Sequence, residues 1–227
     1  MDFPGLADRV ARVRGAIAEA QARGGWSHPV RIVAVTKTHG PEAVRAAWQA
    51  GLTDVGENRV QEALPKMAAA ADVPVAWHLV GTLQRNKARQ AAGRFALIQS
   101  LDRPDLAAEL ARRVPPGERQ AVLVQVNCSA EPQKGGVEPA ALPGLLEALR
   151  ALPALEPRGL MTLAELTDDP GVQRAAFSRL RRLRDEAAAR GAALPELSMG
   201  MSGDFAVAVE EGATIVRLGT VLFGERA

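Results

Sequence analysis

The sequence predicts an α/β fold, a single (β/α)8 barrel of the TIM type with an extra helix at its N-terminus. Short apolar segments alternate with amphipathic stretches eight times within 227 residues, a pattern that favours parallel strands joined by right-handed helical crossovers. The length suits one large domain, because α/β barrels often exceed the usual domain length without dividing. No linker, repeat or low-complexity segment interrupts the chain, so we expect one domain over residues 1–227.

The chain begins with an amphipathic helix. Apolar residues recur at helical spacing from Leu6 to Ile17, and the pattern stops at Gly24, which indicates a helix with one buried face and a glycine at its end. The eight strands predicted after it span 31–37, 54–58, 76–81, 96–101, 121–127, 158–163, 196–201 and 214–219. The helices predicted between them span 41–50, 59–71, 84–92, 103–113, 138–151, 171–190 and 204–211.

The main alternative for the fold is an open, doubly wound sheet, which also alternates strands with helices. A dinucleotide-binding sheet of that kind carries G-x-G-x-x-G directly after its first strand. No such glycine pattern follows the strand predicted at 31–37. Eight units in little more than 200 residues therefore fit a closed barrel better than an open sheet.

Composition narrows the classes of partner. The formal charge is only +2, and no apolar run approaches the roughly 20 residues that cross a bilayer. We therefore expect no nucleic-acid and no membrane partner. The first residues lack the basic and apolar regions of a secretory signal, so we expect a cytoplasmic location. One cysteine, Cys128, and three histidines without ligand spacing predict neither an internal disulfide nor a metal site.

A basic run at 179–184 is the one segment that resembles a nucleic-acid site. Its leucines at 180 and 183 stand at helical spacing, and no aromatic residues interleave for base stacking. The pattern favours a barrel helix whose arginines face water.

Lys37 is central to the functional hypothesis. It ends the apolar run that begins at Arg31, just before a helix-start signal at Pro41. Desolvation lowers the pKa of a lysine, and a neutral amine forms Schiff bases with aldehydes. The alternative for Lys37 is an ordinary surface lysine just past a strand. We expect Lys66 to be a surface lysine.

The ends of strands 7 and 8 predict a phosphate site. Ser202 and Gly203 follow strand 7, and Gly219 and Thr220 end strand 8. Loops after these two strands often bind phosphate in closed barrels, although each segment alone is also an ordinary helix cap or turn. Because closure places strand 8 beside strand 1, a phosphorylated aldehyde bound there lies within reach of Lys37.

Three further residues are expected at the same rim. Alternation along strand 8 places Arg217 on the face of Gly219. If the bound aldehyde carries a pyridine ring, Arg217 can hydrogen-bond the ring nitrogen only when that nitrogen is unprotonated, because arginine only donates hydrogen bonds. Such a ring is a poor electron sink, which predicts weak carbanion chemistry. Asn58 is either a helix N-cap or a ring contact, and His78 is either a core residue with satisfied hydrogen bonds or a ligand contact.

Taken together, these segments resemble the YggS/PROSC family of pyridoxal phosphate homeostasis proteins, also called PLP-binding proteins. The matching segments run in order along the chain: Val35-Thr-Lys37-Thr, Val55-Gly-Glu57-Asn58-Arg-Val-Gln61-Glu62, His78-Leu-Val-Gly81-Thr-Leu-Gln84-Arg-Asn86-Lys87, Gly159-Leu-Met161-Thr, Leu197-Ser-Met-Gly200-Met201-Ser202-Gly-Asp204 and Val216-Arg217-Leu-Gly219-Thr220. The third of these is highly specific, and the match extends from strand 1 to the C-terminus.

The resemblance implies a barrel similar to the N-terminal domain of alanine racemase, with pyridoxal 5'-phosphate (PLP) held on Lys37 as a Schiff base, a covalent aldimine. It implies phosphate contacts from Ser202, Gly219 and Thr220, a ring contact from Arg217, and flanking contacts from Asn58, His78 and Met201. Family members buffer or deliver the cofactor without an established turnover reaction. The implied protein is thus a non-enzyme with PLP and apo PLP-dependent enzymes as partners, and we expect a monomer or weak homodimer.

The alternative function is a PLP-dependent amino-acid racemase. A two-base racemase needs an acid-base group on the ring face opposite the lysine, and alanine racemases use a tyrosine supplied across a dimer by a second, β-rich domain. This chain has no tyrosine and no residues left over for such a domain, which favours the carrier. A barrel that binds another phosphorylated ligand is the third possibility.

Overall fold

A computed structural model describes residues 3–129, 131 and 134–224. Within them, eight parallel strands form a closed barrel in chain order, with the last strand paired to the first. The strands are β1 Arg31–Val35, β2 Asp54–Glu57, β3 Ala76–Leu79, β4 Leu97–Leu101, β5 Gln120–Gln125, β6 Leu155–Met161, β7 Glu196–Ser198 and β8 Ile215–Leu218. The predicted (β/α)8 barrel is confirmed, and the open sheet is excluded.

Helices follow the strands around the outside of the barrel. They are α1 Leu6–Gly24, α2 Pro41–Gln49, α3 Val60–Ala69, α4 Ala88–Ala91, α5 Pro104–Ala111, α6 Leu142–Arg150, α7 Pro170–Ala189, α8 Phe205–Glu210 and α9 Thr220–Phe223. Two 3-10 turns, Arg85–Lys87 and Pro139–Ala141, precede α4 and α6. None of the helices in this part of the chain combines the length and the apolar character that crossing a membrane requires.

The predicted N-terminal helix is confirmed as α1. Its buried face includes Val10, Val13 and Ile17, and Gly25 ends it in the left-handed conformation with φ of 71°. The helix packs against α8 and α9. It therefore supports the two helices that flank β8.

The interior of the barrel is partly apolar and partly polar. A small apolar cluster fills one part of it, formed by Val33, Leu97, Leu123, Met161 and Ile215. The polar side chains buried with it are His78, Gln99, Ser198 and Arg217. Polar groups at this depth need hydrogen-bond partners to offset their loss of water, and those partners are described with the site below.

The basic run lies on α7 as predicted. Leu180 is fully buried and Leu183 packs partly buried against the core, whereas Arg179 and Arg182 are exposed. The run is therefore part of an amphipathic barrel helix, with its leucines toward the core and Arg179 and Arg182 on the outside.

Lys66 is buried, so the expectation of a surface lysine is wrong. It stands with Val60 and Ala63 on the inner face of α3 and is only 8% exposed. Its Nζ donates to the carbonyl of Thr36 at 2.8 Å and pairs with Glu57 Oε1 at 2.5 Å. The Glu57 carboxylate is fully buried between sheet and helices, and a carboxylate in that position requires a cation partner.

Candidate functional site

A cavity of about 390 Å³ opens at the carboxyl ends of the strands, the functional end of a closed barrel. Seven of the residues predicted from sequence line it: Lys37, Asn58, Met201, Ser202, Arg217, Gly219 and Thr220. The lining also includes residues that were not predicted as site residues, among them Thr38, His39, Gln125 and Leu163. The fold thus brings together side chains from both ends of the chain.

Lys37 lies half-buried on the tight turn that follows β1. Thr38 has a φ of 71°, a left-handed conformation that is uncommon for residues other than glycine. The turn is closed by the His39 N–H, which donates to the Thr36 carbonyl at 3.1 Å. The Thr36 hydroxyl donates to Glu57 Oε1 at 2.5 Å. The buried Lys66 pair therefore fixes the backbone directly before Lys37.

Asn58 forms part of the cavity wall. The N-cap position of α3 is Arg59, one residue later, so the structure favours the cavity role over the capping role. The end of β3 approaches Asn58 closely, because a Cβ at Gly81 would lie 2.3 Å from the Asn58 carbonyl oxygen. Only glycine allows this approach, which holds Asn58 at the rim.

One wall of the cavity gathers hydrogen-bond groups suited to a phosphate. The backbone N–H groups of Gly219 and Val221 point at Ser202 Oγ, at 3.3 and 3.2 Å, and Thr220 adds a second hydroxyl. Gly219 lies against the end of β1, since a Cβ there would be 3.5 Å from the Val35 carbonyl. Backbone N–H groups and hydroxyls at a helix start bind phosphate oxygens well. The contact between Gly219 and Val35 also places this wall next to β1, the strand that precedes Lys37.

Arg217 is the buried cation of the site. It is 4% exposed, and its Nη1 donates to Ser198 Oγ at 2.6 Å while Nη2 donates to the Thr162 carbonyl at 2.9 Å. Burial lowers the pKa of Arg217 to about 10, an effect that the negative charge of Asp204 opposes. The guanidinium is thus charged at neutral pH and presents only donors to the cavity.

Asp204 stands at the N-cap position of α8, but its side chain is hydrogen-bonded to the loop that precedes the helix. Its side chain is buried, and Oδ1 accepts a hydrogen bond from the Met201 N–H at 2.5 Å. Burial raises the pKa of Asp204, against the effect of that hydrogen bond and of the charges on Arg217 and Lys134. The carboxyl group thus fixes the loop that carries Met201 and Ser202.

His78 lies deeper than the other predicted site residues. It is 1% exposed and stands outside the set of residues that line the cavity. Its Nε2 is 2.9 Å from Asp54 Oδ1, and its Nδ1 is 3.0 Å from Gln99 Nε2. Both ring nitrogens are hydrogen-bonded, as the core alternative predicted. A direct contact between His78 and a cofactor stays a prediction.

An aromatic cluster closes the rim beside the Lys37 turn. His39, Phe3 and Phe223 meet with ring centroids 5.2 to 5.4 Å apart. The cluster joins the loop after β1 to both terminal segments. Sequence reasoning missed it because its members are far apart in the chain and each looks like an isolated surface residue.

Comparison with known proteins identifies the family. Residues 12–227 match the family model described as alanine racemase, N-terminal domain. The chain is 46% identical over 222 residues to the pyridoxal phosphate homeostasis protein of Aquifex aeolicus, which covers 96% of this chain and 97% of that relative. This chain belongs to the family of pyridoxal phosphate homeostasis proteins. The homeostasis protein of Pseudomonas aeruginosa is likewise 46% identical over 223 residues, 97% of this chain and 96% of that protein.

Solved structures agree with this family assignment. PipY of Synechococcus elongatus with PLP bound superposes with a TM-score of 0.84 at 38% identity, covering 96% of this chain and all of that one. The alanine racemase of Corynebacterium glutamicum gives a TM-score of 0.74 at 18% identity over 62% of its own length, and therefore supports the shared fold alone. The resemblance to the homeostasis proteins that the sequence motifs suggested is confirmed.

Proposed function

We propose that this protein binds pyridoxal 5'-phosphate and serves intracellular PLP homeostasis by buffering or delivering the cofactor. The observation that carries the proposal is one cavity lined by a lysine, by the hydroxyl and N–H groups of Ser202, Gly219 and Thr220, and by a buried arginine. Relatives named as homeostasis proteins and the PLP-bound PipY support the choice of cofactor.

Lys37 is the residue that we assign to hold PLP covalently. Its amine nitrogen attacks the aldehyde carbon, a C=N bond replaces C=O, and the carbonyl oxygen leaves as water with the two amine hydrogens. Hydrolysis reverses the step and releases the aldehyde intact. A reversible bond of this kind suits a carrier.

The other cavity residues divide among the parts of the cofactor. Ser202, Gly219 and Thr220 bind the phosphate, and Arg217 meets the ring nitrogen. Asn58 and Met201 flank the ring. The hydrogen-bonding roles match, because the phosphate oxygens accept from N–H groups and hydroxyls, and an unprotonated ring nitrogen accepts from the donor-only guanidinium.

We further propose that the protein is not an amino-acid racemase. The chain has no tyrosine, the residue type that alanine racemases place opposite the lysine. In addition, a donor-only arginine keeps the ring nitrogen unprotonated and weakens the ring as an electron sink. Four further proposals rest on the sequence and the resemblance: one domain over residues 1–227, apo PLP-dependent enzymes as recipients, a monomer or weak homodimer, and a cytoplasmic location.

Covalent binding at Lys37 is directly testable. Purified protein mixed with PLP should show the absorbance band of an internal Schiff base, and Lys37→Ala should abolish it because no other amine lines the cavity among the described residues. Borohydride reduction and peptide mapping should place the adduct on Lys37. With only four lysines in the chain, the assignment is simple.

Lys87→Ala is the matched control, since Lys87 lies in a 3-10 turn away from the cavity lining. This variant should keep the absorbance band. An adduct on Lys87 with Lys37 unmodified would contradict the proposed site.

A further inference from the structure

A continuous series of hydrogen bonds runs inward from Arg217 through the barrel. Arg217 Nη1 lies 2.6 Å from Ser198 Oγ, and Ser198 Oγ lies 2.6 Å from Gln99 Oε1. Gln99 Nε2 lies 3.0 Å from His78 Nδ1, and His78 Nε2 lies 2.9 Å from Asp54 Oδ1. We call these five residues the interior chain. It connects the cavity at one end of the barrel to the first residue of β2 at the other.

The interior chain is isolated from water along most of its length. Ser198 and Gln99 are 0% exposed, His78 is 1% exposed and Arg217 is 4% exposed. Hydrogen bonds between buried groups are costly to leave unmade. Each member therefore constrains the orientation of the next.

The donor and acceptor roles start from the arginine. A guanidinium only donates, so Ser198 Oγ accepts from Arg217, and its own hydrogen is then directed to Gln99 Oε1. The amide of Gln99 faces His78 with its NH2 group, which also only donates. His78 Nδ1 must accept, so it carries no hydrogen.

The roles at the other end agree. The second oxygen of Asp54 accepts from the Thr53 hydroxyl at 2.7 Å, and Arg31 Nε lies 3.7 Å from Asp54 Oδ1. Asp54 is therefore a carboxylate and accepts from His78 Nε2. A histidine with hydrogen on Nε2 and none on Nδ1 is the neutral tautomer.

We propose that His78 is a positioning residue that, as the neutral Nε2–H tautomer, orients Gln99 and Ser198 so that Arg217 directs its remaining donors at the ring nitrogen of the cofactor. The Ser198 hydroxyl and the Thr162 carbonyl hold two different nitrogens of the guanidinium, which fixes its plane. The inference rests on the proposed function, in which Arg217 faces the ring.

A hydrogen on Nδ1 of His78 would force Gln99 to turn its oxygen toward the ring and its NH2 toward Ser198. The Ser198 hydrogen would then lose the acceptor that the structure gives it, and Ser198 Oγ would have to accept from the Gln99 amide as well as from Arg217. The tautomer of His78 is therefore coupled to the orientation of a group three hydrogen bonds away.

Nitrogen NMR on protein free of PLP tests the tautomer. The chain has only three histidines, and the His78→Asn variant assigns the signal. We expect Nδ1 of His78 to resonate as an unprotonated nitrogen and Nε2 as a protonated one at neutral pH. In Gln99→Glu the new carboxylate accepts from both sides, so both nitrogens should become protonated. A protonated Nδ1 in the unchanged protein would overturn the proposal.

The effect on the cofactor is tested with PLP labelled with 15N in the ring. Ser198→Ala removes the acceptor for Nη1, so PLP affinity should fall about fivefold, equivalent to about 1 kcal/mol, and the ring-nitrogen signal should shift. Gln99→Leu should act in the same direction. Ser178→Ala, on the outer helix α7, is the matched control and should change neither readout.

These results separate the two proposals. If PLP binds Lys37 normally while Ser198→Ala and Gln99→Leu, both folded by circular dichroism, leave the ring-nitrogen signal unchanged, the positioning role is wrong and the proposed function stands. If the unchanged protein forms no adduct with PLP, the proposed function fails. In that case the positioning role fails with it, even when the histidine signals show the neutral tautomer.

Discussion

Lys66 shows how a single buried charge supports the turn that follows β1. Its Nζ contacts both Glu57 and the Thr36 carbonyl, and Thr36 directly precedes Lys37. Replacing it with methionine keeps most of the side-chain volume but leaves the Glu57 carboxylate buried without its cation. We expect Lys66→Met to lower the free energy of unfolding by about 3 to 5 kcal/mol, measured by urea denaturation.

The control for this prediction removes both charges. In the double variant Lys66→Met with Glu57→Gln, the amide still accepts from the Thr36 hydroxyl, and no unpaired charge remains. We expect most of the lost stability to return, since a buried ion pair is often replaceable by neutral groups. Equal losses in the single and double variants would show that the pair is not coupled.

At the residue scale, sequence reasoning found what stands at strand ends and missed what lies beneath. Lys37, Ser202 and Gly219 were predictable because the carboxyl ends of parallel strands meet at one edge. Ser198 and Gln99 are hydrogen-bonded although they are 99 residues apart. No local pattern indicates such a pair, so the interior chain required the structure.

Among the elements, the loop between β7 and α8 depends most clearly on one residue. Gly200 has a φ of +92°, and a Cβ there would lie 2.6 Å from the Cβ of Ala208. We expect Gly200→Ala to lower the free energy of unfolding by about 1 to 3 kcal/mol because the left-handed backbone and the close approach both oppose a side chain. Chemical denaturation measures the change.

Gly203→Ala in the same loop is the matched control for stability. A Cβ at Gly203 meets nothing within 4 Å, so the change in unfolding free energy should stay within about 0.5 kcal/mol. Similar losses for both glycine variants would contradict the steric argument.

The elements themselves were predictable from periodicity, but their ends were not. All eight strands appear where apolar runs predicted them, with boundaries that differ by up to three residues. The sixth begins before Pro157, where the register with β5 shifts and a strand can tolerate a residue without an N–H. The short helix α9 was not predicted, since a four-residue segment has no measurable period.

At the scale of the whole molecule, the carrier and racemase functions make opposite predictions. The chain has no tyrosine, and a donor-only Arg217 disfavours carbanion chemistry. Incubation of the PLP-loaded protein with L-alanine should therefore yield no sustained D-alanine by chiral chromatography. An authentic alanine racemase assayed in parallel is the control. Continued D-alanine formation proportional to protein concentration would overturn the carrier function.

Because β8 closes against β1, the two halves of the proposed cofactor site come from the earliest and the latest parts of the barrel to be synthesised. A ribosome-bound intermediate that has made Lys37 has not yet made Gly219 and Thr220. On the proposed function, cofactor capture is then a property of the finished polypeptide, and a growing chain leaves the cellular pool of free aldehyde untouched until its last strand emerges.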